Sequence, residues 1–182
     1  TPEQQRYGIR RGGHGARWHE HDRRFDVASE ANEANRFGWV VEIDPRQPTQ
    51  APVRCTALGR FKHESATVTL AADRRVVVYM GDDEAFEYIY KYVSDDPYPS
   101  SDPAGGGHLL DRGTLYVARF SADGRGRWLA LQHGRNGLVA ATGFADQADV
   151  LIRARQAADL VGATKMDRPE WIAVHPQTGE VY

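Results

Sequence analysis

Short apolar runs recur along this chain, and each ends in a polar turn built from Asp, Pro or Gly. Val41-Glu42-Ile43 stops at Asp44-Pro45, and Ala118-Arg119-Phe120 runs into Ser121-Ala122-Asp123-Gly124. Ala173-Val174-His175 breaks at Pro176-Gln177-Thr178-Gly179 before Glu180-Val181-Tyr182 resumes. Runs this short, bounded by turn residues, read as strands rather than helices. Their repetition at blade-like intervals predicts antiparallel hairpins. The expected fold class is mainly β, with antiparallel hairpins forming part of a β-propeller and one inserted helix. A sandwich satisfies the same periodicity.

In chain order, residues 1–36 are polar and are expected to be irregular. A strand is predicted over Phe37–Ile43, followed by an extended connector that carries Pro45, Pro48 and Pro52. Ala66–Leu70 and Arg75–Met80 make a hairpin around Ala71-Ala72-Asp73-Arg74. Ala85–Val93 alternates with period two and reads as a strand, its tyrosines serving sheet packing. Residues 94–108 are loop. Gly113–Phe120 and Arg127–Leu131 form a second hairpin around Ala122-Asp123-Gly124. One helix is predicted from Asp146 as N-cap to Gly162 as stop, with Val150, Leu151, Ala154, Ala157, Ala158 and Val161 on its apolar face. A last strand is predicted over Trp171–His175.

The chain has 182 residues, with 23 Lys and Arg against 25 Asp and Glu. That balance gives no reason to expect nucleic acid or an anionic membrane surface as partner. No apolar run approaches the length of a membrane span. A single cysteine, Cys55, precludes an internal disulfide and reads as a small, partly buried hydrophobe. The opening at Thr1 and the stop inside a hairpin at Tyr182 suggest a piece of a longer protein. Residues 1–182 are then a single partial propeller domain, truncated at both ends.

Three clusters carry chemistry. Arg10–Arg17 is a basic, Gly-rich loop without the phosphate-loop pattern, and His14, His19 and His21 follow one another closely there. An exposed loop accounts for them better than zinc does. Asp82-Asp83-Glu84 places three acids at a strand end, where they repel one another unless a cation or arginines neutralise them. A calcium site and a solvated turn are both open readings. Met166-Asp167-Arg168-Pro169-Glu170-Trp171 puts an arginine between two acids, and Pro169 biases Arg168 toward extended backbone. An arginine so placed can bind an oxyanion while the acids hold a cation; a structural ion pair is the plain alternative.

Several longer stretches are familiar. Asn35–Pro45, Gly59-Arg60-Phe61-Lys62-His63-Glu64, Tyr79-Met80-Gly81-Asp82-Asp83-Glu84, Gly143–Ala148 and Lys165–Val174 resemble the PhoX-type bacterial alkaline phosphatases. The resemblance spans nearly the whole chain. It implies a β-propeller exported by the twin-arginine route, hence periplasmic or extracellular. It implies a phosphomonoesterase that depends on a calcium and iron cluster and acts on phosphate esters. It assigns Glu64, Asp83 and Glu170 to the metals, Asp82 and Glu84 less firmly, and Arg168 to the substrate phosphate. Glu64 and Glu170 are then expected to approach one another at one end of the hairpin array.

The family's iron-ligating Thr-Cys-Glu-Glu segment would lie before Thr1, and Cys55 does not match it. Further acidic segments would lie after Tyr182. The chain alone is therefore expected to be inactive and poor in metal. Open strand edges would favour self-association. A propeller module that kept the turns but serves only a structural or ligand-binding purpose is the alternative function.

Overall fold

The protein is described here by a computed structural model covering residues 1–10, 15–99 and 107–182. Residues 11–14, His14 among them and half of the Gly-rich loop, lie outside the described residues, as does part of the 94–108 loop. The chain divides into two compact units, Thr1–Gly38 and Trp39–Tyr182.

The first unit is more ordered than its polar sequence suggested. It opens with helix α1 (Pro2–Arg6), for which Thr1 and Gln4 form a capping box. The Thr1 hydroxyl accepts from the Gln4 amide at 3.2 Å, and the Thr1 amino group donates to Gln4 Oε1 at 2.8 Å. Single 3-10 turns follow at Trp18–Glu20, Arg23–Phe25 and Glu33–Arg36. Trp18, Phe25 and Phe37 pack in a chain, with 6.1 Å between successive ring centroids. Glu33 lies between Arg24 and Arg36, at 3.5 and 3.3 Å.

The second unit is mainly β. A short pair, β1 (Val41–Glu42) with β2 (Val53–Arg54), is antiparallel. The strand expected over Phe37–Ile43 shrinks to those two residues. The proline-bearing connector is coiled rather than extended, because the Asp44 and Gln47 carbonyls accept turn hydrogen bonds from Gln47 and Gln50. The second sheet is a five-stranded antiparallel meander of β3 (Thr67–Leu70), β4 (Arg75–Gly81), β5 (Ile89–Pro97), β6 (Gly113–Phe120) and β7 (Gly126–Ala130), in sequence order.

Both predicted hairpins form. Ala71–Arg74 turns with Arg74 N–H donating to the Ala71 carbonyl at 2.8 Å, and Ser121–Arg125 closes with Gly124 at φ 80°. The strand read over Ala85–Val93 instead begins at Ile89 and runs on to Pro97. Phe86 has a φ of 68°, and its amide donates to the Met166 carbonyl, so the first residues belong to a turn.

One face of this sheet holds the core. Val78, Tyr92 and Leu115 share one cross-strand row, and Met80, Tyr90 and Val117 the next. All six are buried with Tyr88, Leu58 and Phe61 beneath Val150, Ala154, Ala157 and Ala158. Cys55 is fully buried in this cluster, deeper than its sequence suggested.

The single helix expected from Asp146 to Gly162 is two helices, α2 (Gln147–Ile152) and α3 (Ala154–Val161). Its ends are as predicted: Asp146 Oδ1 accepts from the Asp149 amide at 2.9 Å, and Gly162 closes α3 in the left-handed region. The break at Arg153 has a tertiary cause. Arg60 donates its amide to the Leu151 carbonyl at 3.0 Å and its Nε to the Ile152 carbonyl at 2.9 Å. Those are the carbonyls that the next helical turn would otherwise use.

The last predicted strand, Trp171–His175, reduces to one bridge between Val174 and Val181, with Trp171 77 % exposed. Upstream of the bridge the chain crosses the end of the sheet, where Thr67 Oγ1 donates to the Ile172 carbonyl at 2.5 Å.

Candidate active site

Strand β4 ends at Gly81, and the residue there has to be glycine. A Cβ would stand 2.4 Å from the Pro169 carbonyl oxygen and 2.5 Å from that of Glu170. The bare backbone lets the Asp167–Glu170 segment lie directly against the strand end. The two stretches are then laced together. Phe86 N–H donates to the Met166 carbonyl, Met166 N–H donates to the Glu87 carbonyl, each at 2.8 Å, and Ala85 bridges Asp167.

Each acid in the run after Gly81 has its own basic partner. Asp82 is buried and takes a two-pronged contact from Arg155, Nε to Oδ2 at 2.8 Å and Nη2 to Oδ1 at 2.6 Å. Asp83 takes a second fork from Arg168, Nε to Oδ1 at 2.9 Å and Nη2 to Oδ2 at 3.1 Å. Glu84 pairs with Lys62, which holds the Glu84 carboxyl below its usual range. The repulsion that the sequence poses is thus relieved by basic side chains.

Arg168 reaches Glu170 as well, with Nη2 at 3.3 Å from Oε1. Its hydrogen bonds to Asp83, and then the charges of Asp83 and Glu170, raise its pKa above the ordinary arginine value. The backbone differs from expectation. Arg168 sits at φ 55°, left-handed rather than extended. Pro169 disfavours right-handed helix at the preceding residue, and the contacts of Asp167 and Arg168 to the acidic turn select the rarer alternative. Such a conformation costs about 1–3 kcal/mol and persists where surroundings enforce it.

Glu64 reaches the same strand end through its backbone. Its amide donates to the Gly81 carbonyl at 3.3 Å, and the neighbouring Ser65 hydroxyl donates to the Glu170 carbonyl at 3.4 Å. The Glu64 backbone thus lies at the same end of the five-stranded sheet as the hydrogen-bonded Asp83, Arg168 and Glu170; Glu64, Arg168 and Glu170 are exposed and Asp83 is half-buried. Sequence reasoning missed Lys62, Glu87 and above all Arg155. The available signal was a lone cation in the alanine run Ala154-Arg155-Gln156-Ala157-Ala158, beside the apolar stripe.

The donor set can be weighed against a metal. Exposed carboxylates are hard oxygen ligands of the kind calcium takes. Cys55 lies in the hydrophobic core, apart from these carboxylates, and burial pushes its thiol up to about 11. Among the described residues, no group of three or more His, Cys, Asp or Glu side chains is disposed to hold a metal ion. The carboxylates fit calcium chemically and need further donors to close a site.

Comparison with known proteins decides the family. Residues 1–182 match the family described as alkaline phosphatase PhoX. The chain belongs to the PhoX alkaline phosphatase family. It is similar to a solved structure described as Pseudomonas fluorescens PhoX in complex with vanadate, a transition state analogue, at 54 % identity and a TM-score of 0.97. The match covers 100 % of this chain and 33 % of that one, so the chain spans about a third of that PhoX. No curated protein matches the chain. Among the described residues, no helix of this PhoX-family chain is long and apolar enough to cross a membrane.

Proposed function

We propose that this chain supplies part of the active site of a metal-dependent phosphomonoesterase. The observation that carries the reading is the 54 % identity, over the whole chain, to a PhoX whose structure holds vanadate. Arg168 is the residue assigned to the substrate phosphate. Its planar fork already engages a carboxylate in the two-pronged manner that suits a phosphate. A guanidinium has five N–H donors, so Arg168 can take a phosphate while Asp83 holds its Nε and Nη2.

Glu64, Asp83 and Glu170 are the assigned metal-ligating residues, for calcium with iron in the cluster. Bound metals of this kind supply Lewis-acid stabilisation to the phosphoryl oxygens. Asp83 and Glu170 also orient Arg168, so the same carboxylates that hold cations keep the anion-binding fork in place. The remaining donors, including any for iron, come from outside this chain. A β-propeller frame, a single domain over 1–182 and export to the periplasm or beyond belong to the same reading. Edge strands β3 and β7 are where self-association would occur.

The test is hydrolysis of p-nitrophenyl phosphate by the natural protein, purified with its metals, and its inhibition by vanadate. Vanadate-sensitive hydrolysis supports the reading. A folded, metal-loaded protein that neither hydrolyses the ester nor binds vanadate contradicts it.

A further inference from the structure

Asp82, to which the resemblance gave a metal role less firmly, has both carboxylate oxygens held by buried Arg155, a residue to which the phosphatase reading gives no task. Arg155 stands in the first turn of α3 with its side chain 2 % exposed, and Asp82 is at 0 %. Glu87, equally buried, brings Oε1 to 3.6 Å from Arg155 Nε. Drawing three charges out of water is expensive, and apolar side chains of like volume often serve stability as well. Specific geometry is what such a cluster can add.

The geometry here is directional. Asp82 Oδ1 accepts from Arg155 and also from the Lys62 amide at 3.1 Å. The Asp83 amide donates back to the Lys62 carbonyl at 3.0 Å. One buried carboxylate thus joins helix α3, the Lys62–Glu64 segment and the acidic turn. Asp82 and Asp83 are consecutive, so fixing the first fixes where the second projects. Asp83 in turn holds both prongs of Arg168. The helix break at Arg153, imposed by Arg60, gives α3 its own start immediately before Arg155.

We infer that Arg155 is a positioning residue for Arg168, acting through Asp82 and Asp83. The inference rests on the phosphatase reading above. Arg155 is buried behind the turn, and its effect on phosphate passes through the two aspartates. The fork is what matters. Lysine carries the same charge but holds a carboxylate at a single point.

The experiment uses the natural protein with its metals. Arg155→Lys is compared with the unaltered protein and with Leu138→Ala, a truncation of a fully buried core residue that serves as a stability control. Calorimetry measures inorganic phosphate and calcium binding, steady-state assays give kcat and KM for p-nitrophenyl phosphate, and thermal unfolding reports the folded state. Arg155→Lys is expected to unfold cooperatively while phosphate affinity falls roughly tenfold to a hundredfold, the scale of a small misplacement. KM rises in parallel and kcat changes less. Leu138→Ala loses stability but keeps phosphate affinity.

Parental phosphate and calcium affinities in folded Arg155→Lys would overturn the inference. If that variant does not fold, an apolar replacement of the cluster (Asp82→Leu, Glu87→Met, Arg155→Met) takes its place. Folded and weak for phosphate, it supports the positioning role; folded and parental, it overturns it. Failure of both to fold assigns Arg155 to folding alone and overturns it too. An unaltered protein that neither hydrolyses the ester nor binds phosphate sinks the phosphatase reading, and the inference with it.

Discussion

Arg168 grips Asp83 through two hydrogen bonds, Nε to Oδ1 at 2.9 Å and Nη2 to Oδ2 at 3.1 Å, across 85 residues of chain. An exposed ion pair of this kind is screened by water and contributes little to stability. It is better understood as holding a cationic fork in readiness.

Arg168→Ala and Arg168→Gly should therefore separate function from stability. Both remove the fork, and kcat/KM for a phosphomonoester should fall by about two to three orders of magnitude, the scale for loss of a charge-stabilising donor. The glycine variant should be more stable than the alanine variant by about 1 kcal/mol, because only glycine adopts positive φ freely. Urea unfolding of the two checks this.

Gly81→Ala should disturb the site without touching a charged group. The added methyl meets backbone oxygens of Pro169 and Glu170, which have little room to yield. A stability loss of about 1–3 kcal/mol is expected, with KM raised as the Arg168 segment is pushed off the strand end. Retention of parental stability and KM would show that the segment moves freely.

Cys55 should be inert in the folded state. Burial pushes its thiol from the ordinary value up to about 11, so at pH 8 only about one thiol in a thousand is ionised. Iodoacetamide should leave it unmodified at pH 8 and alkylate it in denaturant, while reaction in the native state should climb as pH rises toward 11. Cys55→Ala should leave metal content unchanged, since the thiol lies in the core and not at the sheet end.

Local chemistry made much of this fold legible. The β3–β4 and β6–β7 hairpins, the buried Tyr88, Tyr90 and Tyr92, the Asp146 cap and the Gly162 stop all follow from period-two patterning, turn residues and capping. What stayed hidden depends on partners far along the chain. Arg60 breaks the helix from 92 residues away, and Arg155 meets Asp82 across 73. Arg168 departs from the extended backbone that Pro169 favours because contacts with the acidic turn outweigh the local preference. The family resemblance singled out Glu64, Asp83, Arg168 and Glu170; the last three are joined by hydrogen bonds at the end of the sheet, and the Glu64 backbone pairs with Gly81 there. It gave no hint of the buried arginine behind them.

The central claim is that carboxylates at this sheet end serve metals while Arg168 serves phosphate. Hydrolysis of p-nitrophenyl phosphate by the natural protein, measured before and after calcium chelation, tests it beside Glu170→Gln. The account predicts that chelation abolishes hydrolysis, that calcium restores it, and that Glu170→Gln needs more calcium for the same rate. Full activity in the chelated protein, or an unchanged calcium dependence in Glu170→Gln, would contradict it.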